Sequence, residues 1–217
     1  QLRGINMSIR NAQDGVGLIQ TAESGLNEIR NMVLRIRELA VQMANGIYED
    51  TPDRDNAQLE VAALLQQVDL IANNTKFNNV AVIDGSFTTV NIQAGNTTAE
   101  TIELSFVDLA QTGLSINGAN VGTQTSAIVV MGTMDTALQT IASEQAKFGS
   151  LQNRLNYSIS NLSRSSVMTE QALGRIMDAD FARESTELSK SQILNQAATS
   201  MLAQANQSKT LLLQLIQ

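Results

Sequence analysis

The sequence predicts a mainly α protein, an elongated antiparallel helical bundle or coiled coil with a small antiparallel β-hairpin region, and three observations carry that prediction. An apolar residue recurs every seven positions at Ile5, Ala12, Ile19, Leu26, Val33 and Ala40. A second register runs through Met134, Ile141, Phe148, Leu155, Leu162, Thr169 and Ile176, broken only by the threonine. Between the two, the hydrophobic period shortens to two at Val80 and Val82, Val90 and Ile92, and Ile102, Leu104 and Phe106. A heptad repeat holds one narrow stripe toward a partner helix, whereas a period of two marks half-buried strands. Helix from Ile5 to Met43 would be roughly 55 Å long and from Ile128 to Ile176 roughly 70 Å. A compact chain of this size has a radius of gyration of only about 17 Å, so an elongated molecule with exposed helical surface is expected.

The first helix is expected over Leu2 to Asn45, with a second apolar line at Ala22, Ile29, Ile36 and Met43 beside the heptad line. Gly4, Gly15, Gly17 and Gly25 fall inside it, each costing up to about 1 kcal/mol against Ala, so packing must overrule them. Asn45 and Gly46 offer a stop, and the single proline, Pro52, sits in the polar turn from Glu49 to Asp55. Asp53 or Asp55 is the expected N-cap of a shorter second helix with apolar positions Ala57, Val61, Leu64, Val68 and Ile71, which should fold back on the first. Asp84-Gly85 and Gly95-Asn96 punctuate the strand runs, and one small antiparallel sheet is the simplest reading. The Gly, Asn, Ser and Thr rich stretch from Thr112 to Ser126 reads as a loop or irregular excursion. A long return helix is expected from about Ala127 to Met177, an interruption at Asp178, Ala179 and Asp180, and a last helix from about Arg183 to Ile216. That last helix carries Leu188, Ile193, Leu194, Ala197, Met201, Ala205 and Leu211, and its dense apolar end asks for another copy or another protein to cover it.

Composition bounds the function. The chain has 217 residues, 43% of them hydrophobic and only 3% aromatic, with no Trp, which suits narrow seams of aliphatic side chains between helices. A net charge of -7 without a long basic run argues against nucleic acid and anionic membranes. Absence of Cys excludes disulfides and thiolate metal sites, and absence of His removes the usual acid/base group of neutral pH. No enzyme, cofactor or metal is therefore expected. No run reaches the ~18 apolar residues of a membrane span, and no cleavable signal opens the chain.

Single residues carry less. Asp178 and Asp180 lack further clustered oxygen ligands and read as caps or hinge residues at a helix boundary. Arg10, Asp14, Arg30, Arg35, Arg37 and Glu38 could form an ionic recognition strip, although solvated charges explain each of them. The eight methionines read as gap fillers in the helical seams. Asn-x-Ser/Thr triplets such as Asn73 to Thr75 and Asn156 to Ser158 lie on predicted helix and carry little weight as glycosylation sites.

Eight stretches, Ser8 to Gly15, Leu26 to Ile29, Arg35 to Gln42, Thr75 to Asn78, Gln152 to Leu155, Asp178 to Phe181, Ser191 to Leu194 and Leu202 to Gln207, together resemble bacterial flagellin at both ends of the chain. The resemblance implies a discontinuous helical core domain over residues 1–95 and 127–177, with β-hairpins at about 78–110. It implies a short variable outer segment over 96–126 and a C-terminal inner-tube helix over 178–217, packed through Ile193, Leu194, Met201, Leu202, Leu211 and Leu215. The sequence departs from the family in that the first helical segment is absent before Gln1, so the chain as given is expected to assemble poorly or not at all. The function implied is a secreted structural subunit of the extracellular bacterial flagellum, assembling with other flagellin copies for motility. An export chaperone and a cap protein would be its partners. Many flagellins are also sensed by a host innate immune receptor of the Toll-like class, and the positions matching that surface are Arg35, Leu39, Gln42 and Glu60, with Leu34 departing from the Gln often found there. Packing between subunits is the primary role expected of the same surface. The alternative is a cell-surface adhesin that binds a surface glycan on the polar stretch from Thr88 to Thr125, where no aromatic stacking cluster is visible.

Overall fold

The computed structural model describes the backbone of residues 1–214, with side chains described at 1–177 and 181–208. In chain order the elements are α1 (Leu2–Met43), an irregular turn at Asp50–Arg54, α2 (Asp55–Asn74), the strands β1 (Lys76–Phe77), β2 (Val80–Ala81), β3 (Thr89–Gln93) and β4 (Thr101–Ser105), and α3 (Gln124–Gln214). Two compact units divide the chain, residues 1–165 and 166–217.

In the first unit α1 is the wall on which the other elements pack. All six residues of its heptad line are buried, and so are Ala22, Ile29, Ile36 and Met43 of the second line. Two adjacent apolar lines make a stripe too wide for one neighbour. Contacts down its length show both partners antiparallel to it. Toward α2, Arg54 meets Met43, Arg35 meets Glu60, and Gly25 lies against Thr75. Toward α3, Gln124 meets Ala44, Arg37 meets Asp135, Asn27 meets Gln145, and Glu23 meets Gln152. The buried line of α2 is Ala57, Val61, Leu65, Val68 and Ala72. Leu64 and Ile71, expected on that line, are only partly buried, because the helix is turned by about one residue relative to the sequence reading.

Glycine in α1 is explained by close approach. A β-carbon on Gly25 would fall 2.6 Å from Thr75 Oγ1 and 2.8 Å from Ile83 Cδ1, so only hydrogen fits where the chain leaves α2.

The expected antiparallel hairpin region is present as two hairpins that do not join into one sheet. β1 pairs with β2 and β3 with β4, both antiparallel. The first hairpin turns on Asn78 and Asn79, whose φ of 47° and 67° give the left-handed pair that a two-residue turn demands. The β3–β4 hairpin lies along the N-terminal half of α1, where Asn11 Nδ2 donates to Gln93 O and Ile92 faces Gly15. Phe106 follows β4 and stacks between Phe87 and Phe148 at 5.5 and 5.7 Å, so three of the five phenylalanines form one cluster between hairpin and α3.

The stretch 96–126, expected as a short outer excursion, instead belongs largely to the core. Leu104, Phe106, Leu109, Leu114, Ile116, Ala119 and Val121 are all buried. Side-chain clamps hold it there: Asp69 accepts from the Gln111 backbone N–H and side chain, and Gln58 Oε1 accepts from Val121 N–H. Its polar composition serves the turns, and its spaced apolar residues do the packing.

Neither Asp53 nor Asp55 caps α2. Arg54 occupies that position in helical conformation, with no side-chain cap. Its buried guanidinium reaches back to the end of α1, donating from Nε to Met43 O at 2.9 Å, from Nη2 to Asn45 O at 3.0 Å and from Nη1 to Tyr48 O at 2.6 Å, with Asp50 Oδ1 at 2.8 Å. These carbonyls belong to the end of α1 and the turn after it, where intrahelical donors run out and positive charge is favourable. No sequence rule singles out one Arg within a turn of acids, and the residue was missed.

Helix α3 continues without a break through 178–180, so Asp178 and Asp180 do not mark a helix boundary as expected. Their side chains lie outside the described residues. The methionines divide: Met43 and Met134 are buried and Met32 and Met131 partly so, but Met7, Met168, Met177 and Met201 are exposed and fill no gap in this chain.

Glu144 takes a core position on α3 between Ile141 and Phe148 and is 3% exposed. Lys147 pairs with its Oε1, while Oε2 has no hydrogen-bond partner. Desolvating that oxygen opposes folding.

Three outcomes are expected. Arg54→Ala strands the carbonyls at the α1–α2 junction and lowers the urea unfolding free energy by about 3 kcal/mol. Glu144→Leu, removing a buried carboxylate whose Oε2 has no hydrogen-bond partner, raises it by about 1–3 kcal/mol. The third concerns Asp84, which accepts from the Ser86 hydroxyl and backbone N–H. The Ser86 side-chain bond foremost, then its backbone bond, holds the Asp84 carboxyl below its ordinary value. A carboxylate depressed in the folded state stabilises above its unfolded pKa, and that contribution fades as pH falls through the folded one. Ser86→Ala therefore moves the Asp84 titration upward in carboxyl NMR and weakens this acid-range dependence.

Candidate functional site

Two surfaces stand out, an ionic strip on the first unit and an apolar helix in the second. On the strip, Arg35 Nε donates to Glu60 Oε1 at 2.8 Å and Nη1 to Glu38 Oε2 at 3.3 Å. The Glu60 hydrogen bond first, then that of Glu38, raises the Arg35 pKa above its ordinary value. All three side chains are exposed. Arg37 makes the corresponding link to α3, donating to Asp135 at 2.5 and 3.5 Å, and the Asp135 bond raises its pKa likewise. Exposed pairs of this kind add little stability, but they fix which way the guanidinium groups face. Arg10, Asp14 and Arg30 are exposed along α1 outside these pairs.

The structure brings Arg35 and Glu60 together as a bonded pair and leaves Gln42 exposed, with its Nε2 donating to Tyr48 Oη at 3.4 Å. Leu39 is different. It is buried among the core residues of α1, because it sits beside Ala40 and one turn from Ile36 on the inward face. Of the four positions matching the receptor surface, Leu39 therefore has its side chain beneath that surface and not on it.

In the second unit no described residue is buried. Phe181, Leu188, Ile193, Leu194, Met201 and Leu202 are each 59–76% exposed. Leu194, Ala197, Met201 and Ala205 follow the three-and-four spacing that places side chains on one helix face, with Leu202 adjoining it. Of the positions expected to pack in an inner tube, Ile193, Leu194, Met201 and Leu202 are thus seen exposed; the Leu211 side chain and Leu215 lie outside the described residues. The described residues contain no group of acidic ligands able to hold a metal ion, and no helix among them is long and apolar enough to cross a membrane.

A helix that leaves an apolar face exposed, joined in sequence to a helical unit with its own core, has the character of a structural subunit that associates. The comparisons give the family. Sequence models described as the bacterial flagellin N-terminal and C-terminal helical regions match residues 1–88 and 131–216. A flagellin of Halalkalibacterium halodurans is 37% identical over 220 residues, spanning 100% of this chain and 80% of the relative. A flagellar filament 33 kDa core protein of Treponema phagedenis is 35% identical over 238 residues, spanning 100% and 81%. The crystal structure of Bacillus cereus flagellin superposes with a TM-score of 0.64 at 32% identity, covering 70% of this chain and 88% of that one. The chain belongs to the bacterial flagellins and is a structural subunit of the flagellar filament, which forms by homo-polymerisation.

Burial separates the two kinds of residue in this site. Leu39→Ala is expected to lower the unfolding free energy by about 2–5 kcal/mol through the cavity it leaves. Arg35→Ala, on the exposed pair, should leave the urea midpoint unchanged.

Proposed function

We propose that the subunit polymerises by burying the apolar face of residues 178–217 against the same segment of neighbouring copies, in a tube of packed helices. The exposure of Ile193, Leu194, Met201 and Leu202 carries this reading. Each such side chain, once covered, contributes about 1.5–3 kcal/mol, and repetition along a helical array sums many such contacts. On the first unit, the Arg35, Glu60 and Gln42 surface lies between subunits or is open to a host receptor. On this reading the polypeptide is secreted, attended by an export chaperone beforehand and a cap protein during growth, and works in the extracellular flagellum. The adhesin alternative finds no support in the stretch from Thr88 to Thr125, because its one aromatic residue, Phe106, is buried in the core.

The test uses the full-length polypeptide and filament seeds. Leu194→Asp with Met201→Asp should abolish elongation seen by electron microscopy while the thermal unfolding of the core stays unchanged. Normal elongation of the double variant would overturn the proposed seam.

A further inference from the structure

Asn-Gly occurs twice in this chain, at Asn45-Gly46 and Asn117-Gly118, and the fold treats the two differently. Both pairs are exposed. Asn45 is held. Its Oδ1 accepts from Ile47 N–H at 3.3 Å, and its carbonyl accepts from both Tyr48 N–H and the Arg54 guanidinium. The Asn117 side chain engages no hydrogen-bond partner among the described residues. It sits at the tip of a turn closed by Ala119 N–H donating to Ile116 O at 3.1 Å, which makes Asn117 and Gly118 the two central residues. The N–H of the second central residue is not used in closing such a turn.

We propose that Asn117-Gly118 is a site of spontaneous covalent modification, converting asparagine to aspartate and isoaspartate. The Gly118 nitrogen gives up its proton and attacks Asn117 Cγ. The new N–Cγ bond closes a five-membered succinimide, and the Cγ–N bond of the side-chain amide breaks, releasing ammonia. Water then adds to either imide carbonyl and opens the ring, so the chain continues through the α-carboxyl as aspartate or through the side-chain carboxyl as isoaspartate. No oxidant or enzyme is required. Glycine permits the backbone rotation that attack needs. The rim of the turn is firm, because Ile116 N–H donates to Gln111 O and Val121 N–H to Gln58 Oε1. Reaction places a new carboxylate at this exposed tip. In the isoaspartate product it also lengthens the main chain by one methylene between buried Ile116 and buried Ala119. The reaction ages this end of the first unit while sparing the α1–α2 junction.

Incubation of the folded chain in warm, mildly alkaline buffer, followed by peptide mass mapping and isoaspartyl methyltransferase labelling, tests this directly. Conversion at Asn117 should exceed that at Asn45 by roughly tenfold or more, because restraint away from the attack geometry slows an intramolecular reaction steeply. In urea the two sites should converge. Equal rates in the folded chain, or faster reaction at Asn45, would overturn the proposal. Gly118→Ala provides a second check, since an added β-carbon meets nothing within 4 Å and leaves the fold undisturbed. It should slow conversion at Asn117 by about tenfold, and an unchanged rate counts against the mechanism.

Discussion

Two apolar lines side by side on α1 are the constraint from which the first unit follows. Ile5, Ala12, Ile19, Leu26, Val33 and Ala40 make one line and Ala22, Ile29, Ile36 and Met43 the other, and water must be kept from both. One helix covers one line. So α2 and the hairpins take one side and the first part of α3 takes the other; a short turn folds α2 back on α1, whereas the long stretch through the hairpins returns the chain to the far end, so that α3 also runs antiparallel to α1. The cluster of Phe87, Phe106 and Phe148 then joins hairpin to α3 where aliphatic side chains alone would leave the seam thin.

Polar residues set the junctions that hydrophobicity cannot specify. Arg54 gathers the carbonyls at the end of α1, Gln58 and Asp69 hold the returning segment, and Asn78 with Asn79 supplies the left-handed turn. Glu144 works against this pattern, since one of its oxygens is buried without a partner in the middle of the seam. It is the point where the core is least well made.

The two units meet opposite ends of the same physics. Residues 1–165 bury their apolar lines inside the chain, whereas residues 166–217 display theirs, with no buried position among those described. That contrast, more than any single residue, fits membership of a family whose members polymerise. The methionines divide along the same line, with Met43 and Met134 buried in the first unit and Met168, Met177 and Met201 exposed in the second.

Helix identity and period were legible in the sequence, because a seven-residue repeat maps directly onto one helix face. Every position of the α1 lines was found buried, and Met134, Ile141, Phe148 and Leu155 likewise. Ile193, Leu194, Met201 and Leu202, apolar on a helix without a partner in this chain, are exposed as their sequence suggests. What only the tertiary structure decided depends on contacts between residues far apart in sequence. The rotation that buries Leu65 and Ala72 in place of Leu64 and Ile71, the splitting of one expected sheet into two hairpins, the burial of Leu39, and the return of 96–126 into the core all turn on which neighbour arrives. Arg54 is the clearest instance. Among acids in a turn its sequence suggests a solvated charge, and only the end of α1, eleven residues away, supplies the carbonyls that make it buried.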